Sequence, residues 1–376
     1  MLLKALYKSL GPSLELKMKI NTEVLIIGGG FAGVGTAQDL AKQGIKAMLV
    51  DQKDYFEVTF ANLRNLTDPD KNQNRARKYY QDFLKSDFMQ ASVNTLDDHQ
   101  AELSNGDVIH FKRAVIASGT RYPSMPVAKP NQTLKLEKRN QEFVDQHEKL
   151  KAAKSVLIIG GGVVGVELAG EIASAFPDKK VTLSHSGKVL LDGFKAKAQV
   201  KAQQQLEQQG VNIEFNRRYE KYGEHYQDQM TGQIKHAEMV YEAVGARPNN
   251  AFLTLHLSDI LNGKGYVKVN DRFNVIGHKS LYALGDIADV GEAKLGYLAK
   301  QQGFHLAKII SADIAGKKSK AYKPNPLMAL IPTGQQSGIM HFPFAVTSAN
   351  IFVNLKQKDL FINKIYKAFG TTPNAQ

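Results

Sequence analysis

Short apolar runs alternate with amphipathic stretches along most of this chain. "VLII" at 24–27 stops at three glycines, "FAGVGTAQDLAK" follows with helical spacing, and "AMLVD" at 47–51 is apolar again. An unbroken apolar run bounded by turn residues fits a strand buried on both faces of a parallel sheet, and its alternation with a helix predicts a βαβ unit. The same order returns at 156–186, where "VLII" meets Gly160, "VVGVELAGEIASA" follows, and "KVTLSHS" closes the unit. Two further strands run into small-residue turns, "FKRAVIASGT" into Ser118–Gly119–Thr120 and "AEMVYEAVGARPN" into Gly245 and Pro248. "SLYALGDIADV" at 280–290 reads as a strand entering a helix with Asp286 in the turn. From about residue 325 the chain is apolar with turn signals. It ends in "KQKDLFINKIYKAFG", where Leu360, Phe361, Ile365, Ala368 and Phe369 form one stripe flanked by Lys356, Lys358, Lys364 and Lys367.

The glycines give the two βαβ units a chemistry. Gly28, Gly30 and Gly33 occupy the GxGxxG positions, with a tight turn at the first and room for a pyrophosphate at the second. The third allows close helix packing, and the phosphate rests on the helix N-terminus. Asp51 ends the second strand, where an acid accepts ribose hydroxyls. Gly160, Gly162 and Gly165 repeat the pattern, but Ser184, His185 and Ser186 stand where an acid is expected. That makes NADPH tolerable beside NADH without demanding it. His185 reads either as a contact to an adenosine phosphate or as a surface histidine at a strand end. Two dinucleotide folds in one chain suggest a tightly held flavin facing an exchangeable nicotinamide. A chain that leaves the first unit and returns at 281–286 would bring Asp286 to the flavin ribityl chain. As the alternative, Asp286 simply caps a helix.

Composition narrows the options. The 376 residues include no cysteine, which excludes disulfides, iron–sulfur clusters and a CxxC redox pair, so redox chemistry needs a bound cofactor. Ten histidines are scattered without a metal-binding spacing, so no metal is expected. The formal net charge of +13 permits nucleic acid, an anionic membrane or anionic ligands. The lysines are dispersed and no aromatic–basic module appears, which does not favour nucleic acid. No apolar run is long enough to span a bilayer. At the start, Leu3, Leu6, Tyr7 and Leu10 share one helical face; this is either a short interfacial helix or an extension ahead of Met18.

The two fingerprints, with "LVDQKDYFEVTFANLR", "EIASAFPDKKVTLSHS", "VNDRFNVIGHKSLYALGDIADV" and "YKPNPL", resemble the FAD-dependent pyridine nucleotide–disulfide oxidoreductase superfamily. Within it the chain is similar to the ferroptosis-suppressor, apoptosis-inducing-factor-like NAD(P)H:quinone oxidoreductases, and more distantly to type II NADH dehydrogenases. The resemblance implies an α/β fold with two Rossmann-like, glutathione-reductase-like domains and a small C-terminal region. The expected organisation is an extension at 1–20, FAD-binding parts at 21–125 and 256–324, an NAD(P)H-binding domain at 126–255, and a membrane- or dimer-associated region at 325–376. It implies FAD on Gly28, Gly30, Gly33, Asp51, Arg64, Val93 and Asp286. NAD(P)H would use Gly160, Gly162, Gly165 and Glu167, and Lys294 and Tyr297 would line the acceptor side; the bland reading of those two is helix packing and a solvated lysine.

The implied reaction carries a hydride from NAD(P)H to FAD and electrons on to a quinone. The expected location is cytoplasmic, with peripheral contact at the membrane face. Vertebrate relatives begin with a glycine suited to myristoylation; here position 2 is Leu2. Membrane contact would then fall to the N-terminal helix or the C-terminal stripe, which reads equally as a helix docked on its own domain or on a second subunit. Two other readings stay open: a soluble flavoprotein donating electrons to a protein, and an apoptosis-inducing-factor-like interaction protein that binds nucleic acid.

Overall fold

In a computed structural model, residues 17–375 are described, and the Leu3–Leu10 segment lies outside them. The strand Lys19–Ile27 sits between Ala47–Asp51 and Val108–Ile116, parallel to both, with Asp87–Gln90 beyond Ala47–Asp51. Val24, Leu25 and Ile26 are fully buried, as expected of a strand covered on both faces. Some 160 residues later Leu281–Ala283 joins this same sheet, pairing in parallel with Ala114–Ile116. A second, four-stranded parallel sheet runs Asn212–Phe215, Lys180–His185, Ser155–Ile159, Met239–Glu242. The two small-residue turns meet: Thr120–Arg121 pairs antiparallel with Arg247–Pro248, and Asn249 Nδ2 donates to Ser118 O at 2.8 Å.

Three short antiparallel strands, Ala329–Pro332, Gly338–His341 and Val346–Thr347, pack on the second fingerprint helix, Val163–Ala175. Gly170 permits that approach, because a Cβ there would overlap the Thr333 carbonyl carbon.

Two expectations change. The Asp286 turn does not open a helix: Gly285–Ile287 is a single 3₁₀ turn, and the helix Gly296–Ile314 begins only after Gly291, at φ +73°, and an extended loop. The lysine-flanked tail is not one helix either. It divides into Asn350–Gln357 and Ile362–Ala368, broken where Leu360 and Phe361 adopt φ +51° and +56°. Beyond the break Leu360, Ile365, Tyr366 and Phe369 enter the core of the first unit. There Phe369 meets Phe56 edge-on at 5.3 Å, and Gln38 Nε2 donates to Phe369 O at 2.6 Å. The stripe is thus docked on its own chain.

Candidate active site

Both glycine turns have one construction. Gly28 and Gly160 take φ +106° and +120°, where L side chains are strained, and a Cβ on Gly160 would lie 2.8 Å from Ala243 O. Gly30 and Gly162 stand at the N-caps of their helices, and a Cβ on either would meet nothing within 4 Å. No side chain caps either helix, so the first-turn amides of Phe31–Lys42 and Val163–Ala175 have no side-chain acceptor. An open cradle above uncapped amides is the arrangement an anionic pyrophosphate requires. By this test the residues present fit a dinucleotide at both turns.

Asp51 closes the first cradle: its Oδ2 accepts Gly29 N at 2.6 Å and its Oδ1 accepts Lys53 N at 2.7 Å. Val93 begins the strand Val93–Leu96 at the far edge of the sheet, two residues after Ala91, whose N donates to Asp51 O at 3.0 Å. Asp286 is half-buried and accepts Lys129 Nζ at 2.8 Å and Thr120 Oγ1 at 3.1 Å. Burial alone would raise its carboxyl, but the Lys129 ammonium and these bonds outweigh it and hold it below the usual range.

Arg64 lies in the short helix Asn62–Thr67. It is buried, with Nε and Nη2 on the Glu171 carboxylate and Nη2 also on Gln357 Oε1, so it ties the first unit to the second fingerprint helix and the C-terminal segment. Lys294 Nζ donates to Ala288 O and lies 4.9 Å from the Tyr266 ring centre. Desolvation pulls its ammonium below the ordinary range, against Asp286, Asp289 and Glu292. Tyr297 OH donates to Met328 O at 3.0 Å, and burial raises its phenol.

Three residues at the site carry no local motif. Glu292 accepts bonds from Gln302 Nε2 (2.6 Å), Tyr322 OH and Asn325 N, while Gln302 Oε1 accepts Gly285 N at 2.7 Å. This chain fixes the Asp286 turn against the long helix, through partners 10 to 33 residues apart in sequence. Lys356, one of the lysines flanking the apolar stripe, is buried. Its Nζ donates to Glu167 Oε1 at 3.0 Å and Leu330 O at 3.1 Å, and lies 6.0 Å from the Phe60 ring centre. Phe60 stacks on Phe31, the first residue of the first fingerprint helix. Burial raises the Glu167 carboxyl, only partly offset by Lys356. No signal in the sequence points to Lys356, because the break at Leu360–Phe361 leaves no mark in the periodicity. Among the described residues, no three His, Asp or Glu side chains gather as metal ligands.

The model of the pyridine nucleotide-disulphide oxidoreductase family matches residues 22–307. Ferroptosis suppressor protein 1 of Xenopus tropicalis is 28% identical over 379 residues, covering 95% of this chain and 98% of that protein. Among solved structures, the sulfide:quinone oxidoreductase of Aquifex aeolicus aligns with a TM-score of 0.74 at 16% identity, over 92% of both chains. NDH2 of Plasmodium falciparum, solved with NADH, aligns at 0.73 and 15% identity, over 93% of this chain and 97% of that one. At such identities these two structures speak to the fold.

Proposed function

The chain belongs to the pyridine nucleotide-disulphide oxidoreductase family, as an FAD-dependent enzyme that draws electrons from NAD(P)H, and we propose that it delivers them to a quinone at a membrane face. The flavin, when bound, supplies the two-electron chemistry, taking a hydride from the nicotinamide. We assign the first cradle and Asp51, with Asp286, to FAD, carried by residues 21–125 and 256–324, and the second cradle, within 126–255, to NAD(P)H. Residues 325–376 pack into the cores of both units. The named relative that acts on quinone supports the acceptor class.

The observation that carries the acceptor assignment is the buried Glu167–Lys356 pair. Quinone reduction takes up two protons as well as two electrons. A carboxyl raised by burial and bonded to an ammonium, next to the Phe31–Phe60 stack, is a proton-bearing couple at that position. Lys294 and Tyr297 shape the neighbouring wall and need not exchange protons. In steady state with decyl-ubiquinone, Lys356→Met and Glu167→Gln are expected to lower kcat by about a hundredfold or more, within the range of general acid–base contributions. Anaerobic flavin reduction by NAD(P)H is expected to persist in both. Unchanged quinone turnover in both variants would refute the role.

The membrane reading rests on the outer face of the helix Asn350–Gln357. Ile351 and Leu355, one turn apart, are 72% and 58% exposed, Phe344 nearby in sequence is 82% exposed, and Lys358 follows them at the surface. An apolar ridge with a cation beside it, on a chain of net charge +13, suits an anionic bilayer. No helix among the described residues is long and apolar enough to cross one.

A further inference from the structure

The two cradles differ at one equivalent position. In the first, Gly28 N donates to Val50 O at 2.8 Å and Gly29 N to Asp51 Oδ2 at 2.6 Å. In the second, Gly160 N donates to Ser184 O at 2.8 Å and Gly161 N to His185 Nδ1 at 3.2 Å. The strand registers agree, Ile27 facing Val50 and Ile159 facing Ser184, so His185 is the counterpart of Asp51. An acid at this position accepts ribose hydroxyls and repels a 2′-phosphate. With Nδ1 accepting an amide proton, the neutral imidazole carries its own proton on Nε2. His185 therefore offers a donor where Asp51 offers a carboxylate.

The ring is held in place. A Cβ on Gly161 would lie 2.8 Å from its Cγ, and one on Gly187 would lie 2.7 Å from Nε2, so backbone walls both sides. Burial lowers its basicity, and the Asp192 carboxylate in the following loop opposes that. From the adjoining segment, Arg217 N donates to His185 O, but the Arg217 guanidinium is engaged by Asp228 at 2.9 Å. The glycine turn adds only amides, and Lys188 is exposed three residues on.

We propose that His185 is a proton-linked reader of the dinucleotide 2′-phosphate: neutral, it admits NADH and NADPH alike, and protonated at Nδ1, with the Gly161 amide bond given up, it pairs with the phosphate and favours NADPH. This rests on the assignment of the second cradle to NAD(P)H. A 2′-phosphate there would meet no carboxylate in the place of Asp51, the nearby acid being Asp192 in the following loop, and its dianion would stabilise the imidazolium that burial otherwise disfavours. Binding NADP⁺ thus takes up a proton, and binding NAD⁺ does not.

Isothermal titration of the flavin-loaded protein with NADP⁺ and NAD⁺, from about pH 8 to about pH 6, tests this across the histidine range. For wild type, NADP⁺ is expected to tighten as pH falls, by at most about tenfold per unit for one linked proton. Its binding enthalpy should also vary with the ionisation heat of the buffer. His185→Gln keeps an acceptor for Gly161 N and should leave only the ligand phosphate's own titration, near about pH 6 and of opposite sign. His185→Asp should weaken NADP⁺ relative to NAD⁺ by about tenfold or more. An NADP⁺ to NAD⁺ ratio unmoved in His185→Asp, or a pH slope unmoved in His185→Gln, overturns the inference while leaving the site assignment intact. A wild type that binds neither dinucleotide overturns both.

Discussion

Asp51, Asp286 and Glu57 are three carboxylates that the fold uses differently. Asp51 is buried and bonds two backbone amides, so Asp51→Ala removes charged acceptors as well as the proposed ribose contact. Bonds to a charged group are worth about 1.5–3 kcal/mol, which predicts FAD binding weakened roughly tenfold to a hundredfold, read by flavin content and by titration of the apoprotein. Glu57 is fully enclosed between Arg77 and Arg139, bonded at 2.7 and 2.9 Å. Burial would raise its carboxyl, but the two guanidinium groups prevail and hold it at about 2. Because that lies below the unfolded value, the stabilisation is complete above about pH 4.5 and is lost as pH falls toward 2. Denaturant midpoints in wild type should therefore drop over that window, with the drop reduced in Glu57→Gln. That variant should also lose about 3–5 kcal/mol at neutral pH by stranding the arginines, and an unchanged midpoint would refute the network's role. Asp51 was legible in the sequence because a local motif positions it. Glu57 was not, because its partners lie 20 and 82 residues away.

Elements were legible where hydrophobic runs and glycine turns agree. Both βαβ units and the late strand at 281–283 follow from buried apolar runs, whose strands cannot be satisfied outside a sheet. The tail misled because the spacing of its apolar residues suits one helix as well as two, and only packing on Phe56 decides the break. Lys356 was hidden by the same ambiguity. The C-terminal sheet meets the second fingerprint helix at Gly170, so Gly170→Ala is expected to cost about 1–3 kcal/mol by overpacking. Loss of the Lys356–Glu167 contact should then appear as slowed quinone turnover before the chain unfolds. Equal thermal stability and turnover in Gly170→Ala would contradict this packing.

At the scale of the molecule, the positive charge and the absence of cysteine set what the enzyme can meet and how it must pass electrons. A cation-rich surface with Phe344, Ile351 and Leu355 exposed predicts binding to vesicles containing anionic lipid. Binding should weaken as salt rises. Replacing Ile351 and Leu355 by Ser should release the protein in flotation, and retention of that variant at low salt would argue against this face. The exposed ridge was invisible in the sequence because the same residues read as core until their neighbours are known. Sequential anaerobic mixing tests the central claim most directly: flavin-loaded protein meets NADH or NADPH, then decyl-ubiquinone, and the visible flavin band is followed. The account predicts rapid bleaching by both nucleotides and rapid, quinone-dependent recovery. Failure of either nucleotide to bleach the flavin, or bleaching that quinone cannot reverse, would contradict it.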